Sequence, residues 1–231
     1  MTHTLRRQVS IFDSHGLPKY SYVSRTNGIA LAPQVTGYRA SGAGPETFFA
    51  LGCFGSSEKE SMRTLPDYLR KGMKMILVGS NPGDRSARVG HYYAGRGNQF
   101  WPILYEAGVI PEPIGYEDDR RVVEFGIGLT DLVKRPTRAA DELERQEFAE
   151  GRVLLAQKLE EMKPRVIAFN GKIVFEKFSG RPCKLGLQKE KLYGAQVFVL
   201  PSTSGQNGGT ERAVKMRYFK QLASLLKTLK D

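Results

Sequence analysis

The chain has few of the side chains that soft-metal and redox chemistry require. Its 231 residues include two cysteines, Cys53 and Cys183, and three histidines, His3, His15 and His91. Two thiols so far apart form neither a zinc nor an iron–sulfur pattern, so no metal and no cofactor is expected. So little cysteine also suits a reducing compartment. No apolar run approaches the roughly 18 residues of a membrane span, and Met1-Thr2-His3-Thr4-Leu5-Arg6-Arg7 leads into no signal-like apolar core. The expectation is a soluble intracellular protein, in the cytoplasm or nucleoid, or in the nucleus of a eukaryote. Negative charge is scarce as well: 24 Asp and Glu stand against 35 Lys and Arg, for a formal net charge of +11. Such a field attracts anions, nucleic acid among them, although charge alone names no partner.

Apolar residues make up 40% of the chain and aromatics 10%, enough to build a packed core. Residues 1–62 read as an N-terminal extension, partly irregular, with recurring turn formers (Gly28, Pro33, Gly37, Gly42, Gly44, Pro45) and no long periodic segment. They carry six basic and four acidic side chains, so most of the positive excess falls in residues 63–231. There the pattern changes. Met73–Gly79, Gly126–Thr130, Arg165–Phe169 and Gln196–Leu200 are short apolar runs closed by small or polar residues, as buried strands are. Between and after them, Phe148, Leu155, Leu159 and Met162 recur at helical spacing, as do Phe219, Leu222, Leu226 and Leu229. Strands alternating with helices predict an α/β fold, a sheet covered by helices on both faces. Ligands of such folds bind at the carboxyl ends of the strands.

The first such end runs Gly79-Ser80-Asn81-Pro82-Gly83-Asp84-Arg85-Ser86. Two glycines and a proline make a tight turn whose N–H groups can face a ligand. An ordinary strand-to-helix turn, with Asp84 or Ser86 as the helix cap, would look the same. No Gly-Lys-Ser/Thr follows, so this is no Walker loop, and the glycine spacing fails the dinucleotide fingerprint.

Several more segments follow in order. They are Gly90-His91-Tyr92-Tyr93, Gly97-Asn98-Gln99-Phe100-Trp101, Gly126 to Val133, Arg135-Pro136-Thr137, Phe169-Asn170-Gly171-Lys172 and Leu200-Pro201-Ser202-Thr203-Ser204. As a set, over roughly residues 64–229, they resemble the mismatch-specific uracil/thymine-DNA glycosylase family. The resemblance implies a three-layer sandwich with a mostly parallel central sheet, as in uracil-DNA glycosylases. It also implies a monofunctional hydrolase of the N-glycosidic bond that leaves an abasic site in base-excision repair. Its substrate would be double-stranded DNA with a flipped-out base, and the enzyme a monomer.

Carried onto this chain, the resemblance makes Asn81 the residue that positions the attacking water, a matter of orientation since an amide is a poor base. Tyr93 would stack on the base, and backbone N–H groups near Ser80 and Tyr93 would stabilise charge on the base oxygens. His91 has two readings, base contact or a loop-bracing hydrogen bond. Asp84 is either a helix cap or a second group acting on the water. Asp131 stands where thymine-excising relatives have an Asn that contacts the pyrimidine edge, which makes it a base-contact candidate, with bracing of the next loop as the other reading; an ionised Asp can only accept hydrogen bonds. The loop Ser202, Thr203, Ser204, Gly205 and Gln206 would enter the duplex, with Gln206 as a weak wedge in the space left by the base. Lys172 and Arg212 are further phosphate-contact candidates.

Three alternatives stand beside this reading. They are a glycosylase of the same fold acting on hypoxanthine, xanthine or an etheno-adduct, a non-catalytic nucleic-acid-binding module, and a small-molecule nucleotide hydrolase.

Overall fold

The computed structural model describes residues 64–205 and 209–229; the expected extension, residues 1–62, and Gln206 lie outside them. The four predicted strands form as β1 (Met75–Gly79), β2 (Ile127–Asp131), β3 (Val166–Asn170) and β5 (Ala195–Leu200). A fifth, β4 (Gly186–Leu192), pairs antiparallel with β5 at the sheet edge. The order is β2-β1-β3-β5-β4, and every pairing except β4 with β5 is parallel. β4 escaped the sequence reading because only its two ends are buried, while Gln188-Lys189-Glu190-Lys191 carries no apolar alternation. Polar and charged residues are what an edge strand uses to discourage further pairing.

β1, β2 and β3 are buried on both faces, which is why they read as continuous apolar runs. Their alternate residues serve two cores. Met75, Leu77, Leu129, Ala168, Phe198 and Leu200 face a cluster with α2 (Phe100–Glu106) and α5 (Arg212–Thr228). There Phe100, Trp101, Ile103, Leu104, Phe219 and Leu222 are buried. On the opposite face lie α3 (Arg145–Met162) and α4 (Lys172–Ser179), with Phe169 packed edge-on to Phe175 at 5.1 Å. The result is the expected three-layer α/β sandwich. Of the apolar series expected on α3, Phe148, Leu155 and Leu159 are buried and Met162 is half-buried. Burying an aliphatic or aromatic side chain contributes roughly 1.5–3 kcal/mol, so these helix faces, not helix propensity, hold the layers.

A parallel strand pair needs a crossover, so β1, β2, β3 and β5 are each followed by helical chain and their carboxyl ends share one edge. Around that edge the packing is close. Leu132 and Val133, just past β2, donate backbone hydrogen bonds to Gly79 O and Ser80 O, both at 2.9 Å. Gly151 of α3 lies directly over the Leu132 carbonyl, and a Cβ there would penetrate that backbone oxygen.

Alanine normally stabilises a helix interior by about 1 kcal/mol over glycine. Gly151→Ala should do the reverse and cost about 1–3 kcal/mol, because α3 must lift off the β2 loop. Urea unfolding would measure it, and a stabilised variant would refute the close approach.

Candidate active site

The loops leaving β1, β2, β3 and β5 line one cavity of about 900 Å³. Asn81 stands in its wall. The Asn81 side-chain NH2 donates to Thr137 Oγ1 at 2.6 Å and to the Arg135 carbonyl at 3.1 Å, with a longer contact to Pro82 O at 3.4 Å. Thr137 passes its own proton to Ala139 O at 2.7 Å, which fixes the hydroxyl as an acceptor toward Asn81. Both donors of the amide are thereby used. Its oxygen makes no hydrogen bond among the described residues and remains as the acceptor at the cavity.

The helix-cap reading of Asp84 and Ser86 is corrected. Gly83 holds the cap position of α1 (Asp84–Val89) with no side-chain cap bond, and Asp84 is the first helical residue. Its charge there favours the helix N-terminus, and its side chain lines the cavity. Ser86 Oγ instead accepts from the Ala94 N–H at 3.0 Å.

That bond belongs to a clamp around Tyr93. Tyr93 has φ of 57°, a left-handed conformation that is costly for a bulky side chain, about 1–3 kcal/mol. Its neighbours hold it there. The Tyr92 N–H donates to Asp119 Oδ2 at 2.7 Å, and Trp101 Nε1 donates to Tyr92 O at 3.1 Å. On the other side, Arg85 Nε donates to Ala94 O at 2.8 Å. The Tyr93 ring stacks on Phe100, with centroids 3.8 Å apart and planes at 24°. One ring face is thus covered.

Asp119 organises the clamp and is fully buried. Its carboxylate also accepts from Tyr68 Oη at 3.2 Å and lies 3.1 Å from His91 Nδ1. His91 therefore braces the loop and does not line the cavity. Asp119 was missed in the sequence because Tyr116-Glu117-Asp118-Asp119-Arg120-Arg121 reads as a solvated polar turn. No local signal marks which carboxylate turns inward.

Gly79 and Asp131 are paired neighbours at the ends of β1 and β2. A Cβ on residue 79 would collide with Asp131 Oδ1 and lie 3.3 Å from Tyr93 Oη. Glycine at 79 thus lets the carboxyl and the phenol meet at the cavity end. Asp131 Oδ2 and Tyr93 Oη are buried and have no hydrogen-bond partner among the described residues. Burial pushes Asp131 up to about 7, with Lys134 opposing and Asp67 adding to the rise. Burial and the nearby Asp131 charge likewise hold the Tyr93 phenol well above its usual range, although Asn170 opposes them. Below this pair, burial raises Asp67, but Lys134, Lys158 and Thr130 outweigh it and hold that carboxyl below its usual range. Lys158 reaches Asp67 Oδ2 at 2.6 Å and Thr130 reaches Oδ1 at 2.6 Å, while Lys134 bonds to Oδ1 as well.

The loop after β5 is less open to DNA than the sequence suggests. Thr203 is fully buried; its hydroxyl accepts from Asn170 Nδ2 at 2.9 Å and its N–H donates to Asn170 Oδ1 at 3.2 Å. Thr203 is accordingly a fixing point of the loop, corrected from a contact residue. Ser202, Ser204 and Gly205 line the cavity mouth, as does Lys172, which is 3.9 Å from Glu176. Ser80 lines the same cavity. Arg212 lies away from it, forked onto both oxygens of Glu106 at 2.7 Å. On the same helix Lys215 is buried, while the exposed Arg217 lies over the Tyr218 ring at 5.0 Å. Among the described residues, no group of three or more His, Cys, Asp or Glu side chains converges as a metal ion would require.

The carboxyl edge of the mostly parallel sheet thus carries one cavity lined by an anchored amide, a clamped aromatic and basic residues. The chain belongs to the uracil DNA glycosylase superfamily, whose family model matches residues 66–229. It is similar to a solution NMR structure from Methanosarcina acetivorans described as a "putative Uracil DNA glycosylase". The two share 26% identity with a TM-score of 0.51, over 72% of this chain and 98% of that one. The activity class is that of a DNA glycosylase.

Asp131 titrates with a sign that can be checked. Its folded value of about 7 lies above the ordinary aspartate value of 3.8, so its contribution to stability is complete below about pH 4 and is lost as pH rises through about 7. Thermal melts from pH 4.5 to 8.5 should show Asp131→Asn escaping that loss, by an amount on the order of a few kcal/mol at the alkaline end. Parallel profiles for the two proteins would contradict it.

Proposed function

We propose that the chain hydrolyses the N-glycosidic bond of uracil in DNA, thymine being a poorer substrate, and leaves an abasic site without cutting the strand. The observation that carries this is the Asn81 amide. With its NH2 spent on Thr137 and Arg135, its oxygen is the atom left to accept from a water and aim it at the sugar carbon. Tyr93 lines the cavity with its ring backed by Phe100, which suits stacking of an extruded base on it.

Asp131 supports pyrimidine recognition only in its neutral form. Negative charge gathers on the departing base, and an anion beside it would oppose bond breaking. A protonated carboxyl can instead donate to a base carbonyl. Asp131 with a value of about 7 is half neutral near physiological pH. The single-turnover rate is therefore expected to fall as pH rises through about 7 and to flatten in Asp131→Asn.

Duplexes carrying uracil, thymine, hypoxanthine or ethenocytosine opposite guanine test the substrate assignment. Uracil should be released fastest, with strand breaks appearing only after alkali. Hypoxanthine released faster than uracil would move the chain to the alternative base class. Asn81→Ala should lower the uracil rate by about 100-fold or more, whereas Asp84→Ala should retain most of it. The reverse order would transfer the water to Asp84.

A further inference from the structure

The cavity has an open end and a closed one. Arg96 and Ile173 line it from exposed positions, whereas Leu65, Tyr92 and Asp131 line it while only 3%, 2% and 5% exposed themselves. At the closed end Asp131 Oδ2 and Tyr93 Oη supply polar atoms. Leu65 supplies none. Its side chain is aliphatic and packs in one cluster with Tyr68 and Tyr92.

Leu65 reaches this position because Leu65-Pro66-Asp67-Tyr68 runs beside β2 as a strap. The Tyr68 N–H donates to Leu129 O at 2.9 Å, and Tyr68 O accepts from the Leu129 N–H at 3.1 Å. That bridge is antiparallel, so each step back along the strap is a step toward the end of β2 that carries Asp131. Pro66 has no N–H and ends the pairing. Every strap residue is then tied by a different group. Lys134 Nζ donates to Leu65 O at 3.3 Å, and Tyr92 Oη donates to Pro66 O at 3.1 Å. The Asp67 carboxylate accepts from Lys134, Lys158 and Thr130, and Tyr68 Oη donates to Asp119 at 3.2 Å. Beneath the strap, a Cβ on Gly128 would lie 2.8 Å from Tyr68 O, so β2 and the strap are in close contact. A wall pinned at four successive residues has little room to retreat from a larger ligand.

We propose that Leu65 gauges the size of the base, forming the end wall that admits a single pyrimidine ring beside Tyr93 and Asp131 and turns away a purine. The inference rests on the DNA glycosylase reading and adds what sets the largest base the site takes. Hypoxanthine offers the same carbonyl beside an N–H that uracil does. Hydrogen bonds from the polar end of the cavity therefore separate the two poorly. Length separates them: the second ring of a purine must occupy space that the strap fills with Leu65, and forcing extra atoms against a fixed wall is costly.

The test measures single-turnover release of hypoxanthine and of uracil from otherwise identical duplexes, for the wild type, Leu65→Ala, Leu65→Val and Leu65→Met. Leu65→Ala should raise the hypoxanthine-to-uracil ratio by about tenfold or more. Leu65→Val opens less space and should raise it by less; it carries the comparison if the Ala variant does not fold. Leu65→Met keeps the volume and should leave the ratio within about threefold of wild type. Leu159→Ala is the control, since Leu159 is buried under α3 and does not line the cavity. It should lose stability without changing the ratio. An unchanged ratio in Leu65→Ala and Leu65→Val, or an equal rise in Leu159→Ala, would overturn the proposal, as would a wild type that releases hypoxanthine as fast as uracil. A second readout needs no chemistry: free uracil and free hypoxanthine are titrated into each protein and binding is followed by NMR. Hypoxanthine should gain on uracil in Leu65→Ala alone among the wild type, Leu65→Met and that variant. That gain, with no base released from DNA by the wild type, would sink the functional reading and leave the gauge standing. Uracil release by the wild type with no gain in either assay would sink the gauge alone.

Discussion

Parallel pairing of β1 between β2 and β3 is the constraint on which the site depends. With both neighbours parallel, no hairpin can join the strands, and each carboxyl end must open onto the same edge. Gly79 and Asp131 meet there as paired residues, and the lack of a Cβ at Gly79 admits the carboxyl and the Tyr93 phenol together. A larger residue at 79 would drive both groups away, so the cavity end is shaped by the closeness of two strand ends.

Around that edge, charge is used twice in opposite ways. Asp119 is buried among donors that satisfy it, and its role is to hold the backbone of residues 91–94 in a strained turn. Asp131 Oδ2 is buried with no hydrogen-bond partner among the described residues, and the carboxyl is pushed up to about 7. A satisfied buried carboxylate fixes structure, whereas an unsatisfied one is available to a ligand. Asp67, compensated by two lysines, lies between these cases and steadies the start of the domain against β2.

The fold was largely legible in the residues because buried strands leave unbroken apolar runs and covering helices leave a spaced stripe. β4 was not, since an edge strand needs neither. The first motif was legible at Asn81, but its anchoring was not: Thr137 lies 56 positions away and looks like any loop threonine. Arg212 looked like a phosphate contact and proved to be half of an ion pair with Glu106, 106 positions earlier. Thr203 looked exposed because it sits in a Ser/Gly-rich loop, yet the Asn170 amide draws it inside.

By itself the sequence determined the layer architecture, the order of the motif loops, the positive charge and the superfamily. These depend on local periodicity and on residue types in series, which a linear chain records directly. Tertiary structure alone decided which atom of Asn81 stays free, which of several carboxylates is satisfied, and that Gly205 must lie against Arg96 and Gly97. Hydrogen-bond direction, desolvation and close packing depend on which groups from distant positions meet, and only the folded chain brings them together.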